Sequence, residues 1–214
     1  PRELSRALER EVREQYKPLR DGELETRLAT LDRFRVLCAH RTGTASVEQL
    51  NPRISRALGV QRGVSYAGRP IIISQNDYAT QLFNGDVGVI SAFARADAAR
   101  FDASALRGPQ RSNKRELYAC FRSGEGTRQV SLARLPSHES AWAMTVHKSQ
   151  GSEFDRVVVV LPPERDSPLL SRELVYTAVT RARERVTILA TERTLCAAIE
   201  RRASRTSGLR DRLA

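Results

Sequence analysis

Lysine is almost missing from this chain of 214 residues, which carries only Lys17, Lys114 and Lys148. Basic residues still number 36 against 25 acidic ones, a net charge of +11, so the positive surface is arginine. Arginine keeps its charge at any working pH and offers phosphate a planar fork of donors. Such an excess points to a polyanionic partner, nucleic acid first. The competing explanation is a codon-biased composition that merely solvates the surface. Cysteine is scarce as well: Cys38, Cys120 and Cys196 are far apart, with no CxxC pair, and His40, His138 and His147 do not cluster with them. That disfavours a zinc site and predicts a reduced, cytoplasmic chain. Cys38 and Cys196 have apolar neighbours and read as small core residues. No apolar run nears a membrane span, so no membrane partner is expected, and the charged start from Arg2 argues against a signal peptide.

Two missing motifs limit the chemistry. A phosphate-cradling loop needs GxxxxGK[ST], so that backbone N–H groups wrap the phosphates. The only lysine followed by Ser or Thr is Lys148, and Trp142 and His147 stand where the glycines belong. Nor does any apolar strand end in an adjacent acidic pair suited to magnesium. If the chain serves an NTPase, it supplies half of the site.

What is present alternates helix and buried strand, with a change of period in the middle. Leu4, Ala7, Leu8 and Val12 mark a helix over 3–16, ended by Pro18. A second helix is predicted over 23–33 and a buried strand over 34–39. Ser46 and Gln49 fit a capping box for a helix that Gly59 stops. From Gly63 the pattern becomes all-β: a strand over 69–74, a turn at Asn84-Gly85-Asp86, a strand over 87–90, a long polar loop over 94–114, and a hairpin about 123–126. Helix and strand then return. A helix or turn is predicted over 140–148, and a strand over 156–161 that is apolar on both faces, as parallel strands are. A helix over 171–184, a strand over 186–190, a helix over 194–202 and a frayed tail over 204–214 follow. The expected fold is α/β: a parallel-sheet domain in two parts, 1–63 and 138–214, interrupted by a small β-barrel at 64–137.

Polar and acidic residues crowd 145–155, between two stretches that read as buried, the layout of a functional loop on a rigid scaffold. In the 171–184 helix, Thr177, Thr180, Arg181 and Glu184 share the face turned from the core. Arg181 beside two hydroxyls suits a phosphate, against the plain alternative of a surface arginine. A nucleophile–base pair of His147 with Ser149 or Ser152 is poorly aimed from one loop. Metal-dependent nuclease work by Glu153 and Asp155 lacks a further carboxylate.

Thr145-Val146-His147-Lys148-Ser149-Gln150-Gly151-Ser152-Glu153-Phe154-Asp155 and Leu174-Val175-Tyr176-Thr177-Ala178-Val179-Thr180-Arg181-Ala182-Arg183 resemble motifs V and VI of superfamily 1 DNA helicases. The fuller resemblance is to the RecD family, the alpha subunits of exodeoxyribonuclease V. It extends to Gly68-Arg69-Pro70, Asn76-Asp77, Leu82-Phe83-Asn84-Gly85-Asp86-Val87-Gly88 and Ser207-Gly208-Leu209, and Val36-Leu37-Cys38-Ala39-His40-Arg41 is similar to motif IV. The resemblance covers about residues 30–210.

It implies the second RecA-like motor domain, with an SH3-like barrel inserted, of an ATP-dependent 5′–3′ DNA helicase in double-strand break processing and recombinational repair. By that resemblance Arg181 is the arginine finger and Arg41 a second phosphate contact. Gly151 and Glu153 lie on the nucleotide side, Glu153 toward the ribose, and Thr145, His147 and Asn84 contact single-stranded DNA. ATP with Mg²⁺ is the implied cofactor, held mainly by an N-terminal RecA-like domain whose Walker motifs this chain lacks. That makes the chain a C-terminal part, inactive alone, with the beta and gamma subunits as further partners. Two alternatives stand beside it: a non-enzymatic nucleic-acid-binding module built on 64–137, and the motor half of a conjugative relaxase-helicase.

Overall fold

Five consecutive buried residues, Phe34–Cys38, form β1 at the heart of a computed structural model that describes residues 2–60, 65–93, 115–124, 126–164 and 166–203. Side chains alternate across a strand. Phe34, Val36 and Cys38 therefore enter one core, and Leu37 the other. β1 lies between β7 (Ala143–Thr145) and β8 (Phe154–Val160), and β9 (Ala182–Leu189) follows β8, giving the order β7-β1-β8-β9 with every pair parallel. Helices cover both faces, as a parallel sheet requires. On one side lie α1 (Arg2–Gln15), α2 (Lys17–Asp21), α3 (Leu24–Arg33) and α4 (Val47–Ala57), through Leu8, Leu19, Leu28 and Ile54. On the other lie α5 (Arg172–Val179) and α6 (Glu192–Glu200), through Leu174 and Ala198. The fold is thus α/β with a parallel sheet, as the sequence predicts.

The change of period at mid-chain is a second, antiparallel sheet. Its strands are β2 (Pro70–Ile73), β3 (Val87–Phe93), β4 (Glu116–Ser123), β5 (Gly126–Ser131) and β6 (His138–Ser140), in the order β5-β4-β3-β2-β6. Ile71, Ile73, Ile90 and Phe121 form its own core, while Val89, Tyr118 and Cys120 face the core shared with α2 and α3. Among the described residues no ladder joins β5 to β6, so the sheet is open along that line. Gly68, just before β2, has φ +87° and a position where a Cβ would meet the Leu19 carbonyl oxygen at 2.3 Å, so only glycine lets the sheet sit this close to α2.

Several local expectations hold. The Ser46 hydroxyl accepts from the Gln49 amide at 3.4 Å and caps α4, Gly59 follows its end, and the hairpin joins β4 to β5. Others are corrected. α1 does stop ahead of Pro18, at Gln15, but Pro18 also sits in the first turn of an unexpected short helix, α2, where a missing N–H costs nothing. The 140–148 stretch is not a helix. It holds the end of β6, all of β7 and one 3₁₀ turn, His147–Ser149. Backbone pairing with β1 wins there over local propensity, and Asn51 completes the edge: its Nδ2 donates to the Ala143 carbonyl and its Oδ1 accepts from the Ala143 amide. The helix expected over 171–184 ends at Val179, because residues from Ala182 onward pair with β8. Cys38 is buried, but Cys196 is exposed, since α6 buries Thr194 and Ala198 and residue 196 falls on the opposite side. The 94–114 loop and the 204–214 tail, with Ser207-Gly208-Leu209, lie outside the described residues.

Candidate functional site

The loop 146–153 leaves β7 at the carboxyl edge of the parallel sheet and enters β8 at the amino edge. Val146 N–H donates to the Cys38 carbonyl at one end, and Phe154 N–H to the Arg181 carbonyl at the other. Phe154 and Val160 are six residues apart on β8, so the two edges are about 20 Å apart at the usual rise per residue. A single loop therefore reaches two separate groups of side chains.

The amino-edge group is built on Arg181. It lies two residues beyond α5 rather than within it, and folds back on the helix end. Its Nε donates to the Thr177 carbonyl at 3.2 Å, Nη1 to the Ser152 carbonyl at 3.1 Å, and Nη2 to the Thr180 hydroxyl at 3.3 Å. A guanidinium has five N–H donors, so about two remain unused. Gly151, with φ +86°, bends the loop here without meeting any neighbour. Glu153 is exposed and accepts from Arg183 Nε at 3.3 Å, while Arg183 Nη1 also lies 3.8 Å from Asp155.

The carboxyl-edge group is built on Glu139 of β6, which the sequence reading passed over. Its carboxylate takes Lys148 Nζ at 2.7 Å and Arg41 Nη2 at 3.1 Å. Thr145 Oγ1 accepts from the Lys148 amide at 3.2 Å and so fixes the turn that presents His147, which is exposed. Arg41, Glu139, Thr145 and Lys148 surround a cavity of about 110 Å³. The structure thus places Arg41 with Thr145 and Lys148, an edge away from Arg181. Asn84 is exposed at the turn before β3, its amide held by the Asn76 side chain at 2.8 Å. The next residue, Gly85, shares a cavity of about 160 Å³ with Lys148 and Ser152, so this turn faces the loop.

Charge separates the cations. Arg41, Lys148 and Arg183 each have a carboxylate partner. Among the described residues no carboxylate pairs with Arg181, which leaves its charge available to an outside anion. The Ser149 hydroxyl is buried and donates to the Val146 carbonyl at 2.7 Å, so it is no nucleophile for His147. Among the described residues no group of three His, Cys, Asp or Glu is placed to hold a metal ion, and no helix is long and apolar enough to cross a membrane.

Beneath both groups lies Arg35, which sequence reasoning also missed. It is 2% exposed. Its Nη1 donates to the Ala141 carbonyl, Nη2 to the Leu31 carbonyl near the end of α3, and its guanidinium stacks 5.1 Å from the Phe154 ring centroid. Carbonyl oxygens, the negative end of α3 and a π face stand in for a counter-ion. Burial pushes this guanidinium below its ordinary pKa, with Tyr16 and Asp32 acting the other way.

Residues 140–189 match the UvrD-like helicase C-terminal domain. Over 197 residues, 90% of this chain, the sequence is 45% identical to the RecBCD enzyme subunit RecD of Mycolicibacterium smegmatis and 43% identical to that of Mycobacterium tuberculosis. It is 30% identical over 161 residues, 70% of the chain, to the ATP-dependent RecD2 DNA helicase of Deinococcus radiodurans. The chain spans 31% of each of the two mycobacterial relatives and 19% of the third.

Proposed function

We propose, on the premise that this chain is similar to the C-terminal region of RecD, that it is the second motor lobe of a RecD-type ATP-dependent DNA helicase. In this reading it moves 5′ to 3′ on single-stranded DNA in double-strand break processing and recombinational repair. The observation that carries the reading is the 146–153 loop, tied at one end beside Lys148 and at the other to Arg181, the site cation without a carboxylate partner among the described residues.

Residues 1–63 and 138–214 form the RecA-like part, and 64–137 the SH3-like insert, with β6 the strand that returns the chain from one to the other. The nucleotide is ATP with Mg²⁺, which supplies the phosphoryl group whose hydrolysis drives movement. The acidic and glycine-rich groups that would hold it belong to an N-terminal RecA-like domain of the same protein. What this chain's residues do is more limited. Arg181 keeps about two unused donors and, among the described residues, no carboxylate partner, which fits a phosphate and stabilises charge as it develops there. Ser152 and Thr180 hold its fork in place. Gly151 lets the loop turn, and Glu153 presents an acceptor for a ribose. Thr145 and His147 at the other edge, and Asn84 at the turn that faces the loop, meet the DNA backbone. Arg41 serves as a phosphate contact; its place beside Lys148 favours a DNA phosphate over the nucleotide. The beta and gamma subunits of exodeoxyribonuclease V are the expected protein partners, in the cytoplasm. Alone, the chain does not turn over ATP.

The experiment is single-strand binding and unwinding by Thr145→Ala and His147→Ala, with Thr145→Ser as a control that keeps the acceptor for the Lys148 amide. Weaker binding and hydrolysis uncoupled from unwinding are expected in the alanine variants. Unchanged binding and unwinding contradict the DNA-side assignment.

A further inference from the structure

Two aromatic rings on the antiparallel sheet face water. Tyr78 is 79% exposed and Phe83 44% exposed, with ring centroids 5.9 Å apart and planes at 78°. Exposed rings on a loose loop would need no explanation, but this segment is held firmly. Asp77 and Leu82 exchange backbone hydrogen bonds at 2.7 and 3.0 Å, and the buried Leu82 side chain anchors the segment in the sheet's core. The Asp77 carboxylate accepts from the Ala79 amide and the Thr80 hydroxyl. Arg128 Nη1 donates to the carbonyls of Thr80 and Gln81, and so braces Gln81 at φ +52°, a conformation that ordinarily costs a non-glycine residue. Asp86 and Asn76 fix the amides of Phe83 and Asn84. The rings are presented by a rigid frame, as preorganised binding surfaces are.

Position and charge identify what the rings meet. They lie just before the turn whose Gly85 shares a cavity with Lys148, Ser152 and Glu153, so they extend the surface along the 146–153 loop. Asn84, next to Phe83, adds an exposed amide, and the chain carries a net charge of +11. Flat exposed rings on a chain of net positive charge fit a nucleic-acid strand whose bases are unpaired, because every base has a π face whatever the sequence. We propose that Tyr78 and Phe83 form a stacking platform for the bases of single-stranded DNA as it passes the 146–153 loop. The proposal rests on the helicase reading and adds a base contact to its backbone contacts.

The test compares an oligothymidylate with its abasic counterpart of equal length, each titrated against the 214-residue chain by fluorescence anisotropy. The chain is expected to bind the oligothymidylate about tenfold or more tightly than the abasic strand. The double variant Tyr78→Ala/Phe83→Ala loses that preference while keeping its melting temperature and its affinity for the abasic strand. Tyr78→Phe/Phe83→Tyr retains the preference. Equal, salt-sensitive binding of both strands by the unsubstituted chain overturns the platform and leaves the helicase reading standing, with a protein partner as the occupant of the rings. Full base preference in the double alanine variant also overturns it. Binding of neither strand overturns the platform together with the DNA-side reading beneath it.

Discussion

Arg181 Nη1 donates to the carbonyl of Ser152 at 3.1 Å, which fastens an arginine after α5 to the far end of a loop that begins at the other edge of the sheet, about 20 Å away. The loop is thus held at both ends, by the Cys38 carbonyl after Thr145 and by Arg181 at Ser152. In the proposed reading, the DNA contact and the phosphate contact are the two ends of this one segment.

Glu139 sets the strength of the carboxyl edge. It pairs with two cations, Arg41 and Lys148, and so competes for them with any outside phosphate. Glu139→Gln keeps the shape and removes the competing charge. Single-strand affinity should rise, and the dependence of log K on log salt should steepen by about one to two phosphates. A salt titration of binding checks this; weaker or unchanged binding would mean that the pair only stabilises the fold.

Arg35 is a matter of stability. Replacing it with Ala leaves the Leu31 and Ala141 carbonyls without their donor and opens a cavity under Phe154. The expected loss is about 3–5 kcal/mol in urea denaturation. A loss below about 1 kcal/mol would show that water replaces the guanidinium at little cost.

Alkaline pH should unfold the chain early. Burial pushes the Tyr16 hydroxyl from 10.0 to about 12, and the Cys38 and Cys120 thiols from 9.0 to about 12. Each group is held neutral in the folded state but ionises near its ordinary pKa once unfolded. Their contribution is therefore complete below about pH 9 and declines between pH 9 and 12, by about 1.4 kcal/mol per pH unit for each group that has begun to ionise in the unfolded chain. Urea midpoints at pH 8, 9.5 and 10.5 should fall in that order. A midpoint flat to pH 10.5 would place these groups in contact with water.

Much of this is legible in the residues. The apolar runs of β1 and β8 read as buried strands, and that of β8, apolar on both faces, as a parallel one. Ser46 with Gln49, and the Asn84–Asp86 turn, are local signals, and the structure repeats them. The failures are long-range. Residues 180–184 continue the helical spacing of α5, and only their pairing with β8 ends that helix. β7 is three residues long, too short for a period, and its edge is satisfied by Asn51, which is 92 positions away. Glu139 is 98 positions from Arg41, so no spacing rule joins them. For the site, the sequence supplies the loop and Arg181; which cations carry a carboxylate partner is a property of the fold alone.

The central claim is that Arg181 acts on a phosphate held by another domain. It is tested most directly by DNA-stimulated ATP hydrolysis of the intact protein carrying Arg181→Ala, with Arg181→Lys beside it. The account predicts a fall in turnover of about 10³–10⁵-fold for Ala. Lys should also lose most of the activity, since it keeps the charge but not the fork, and neither variant should lose single-strand affinity. Near-normal hydrolysis in Arg181→Ala would contradict the account.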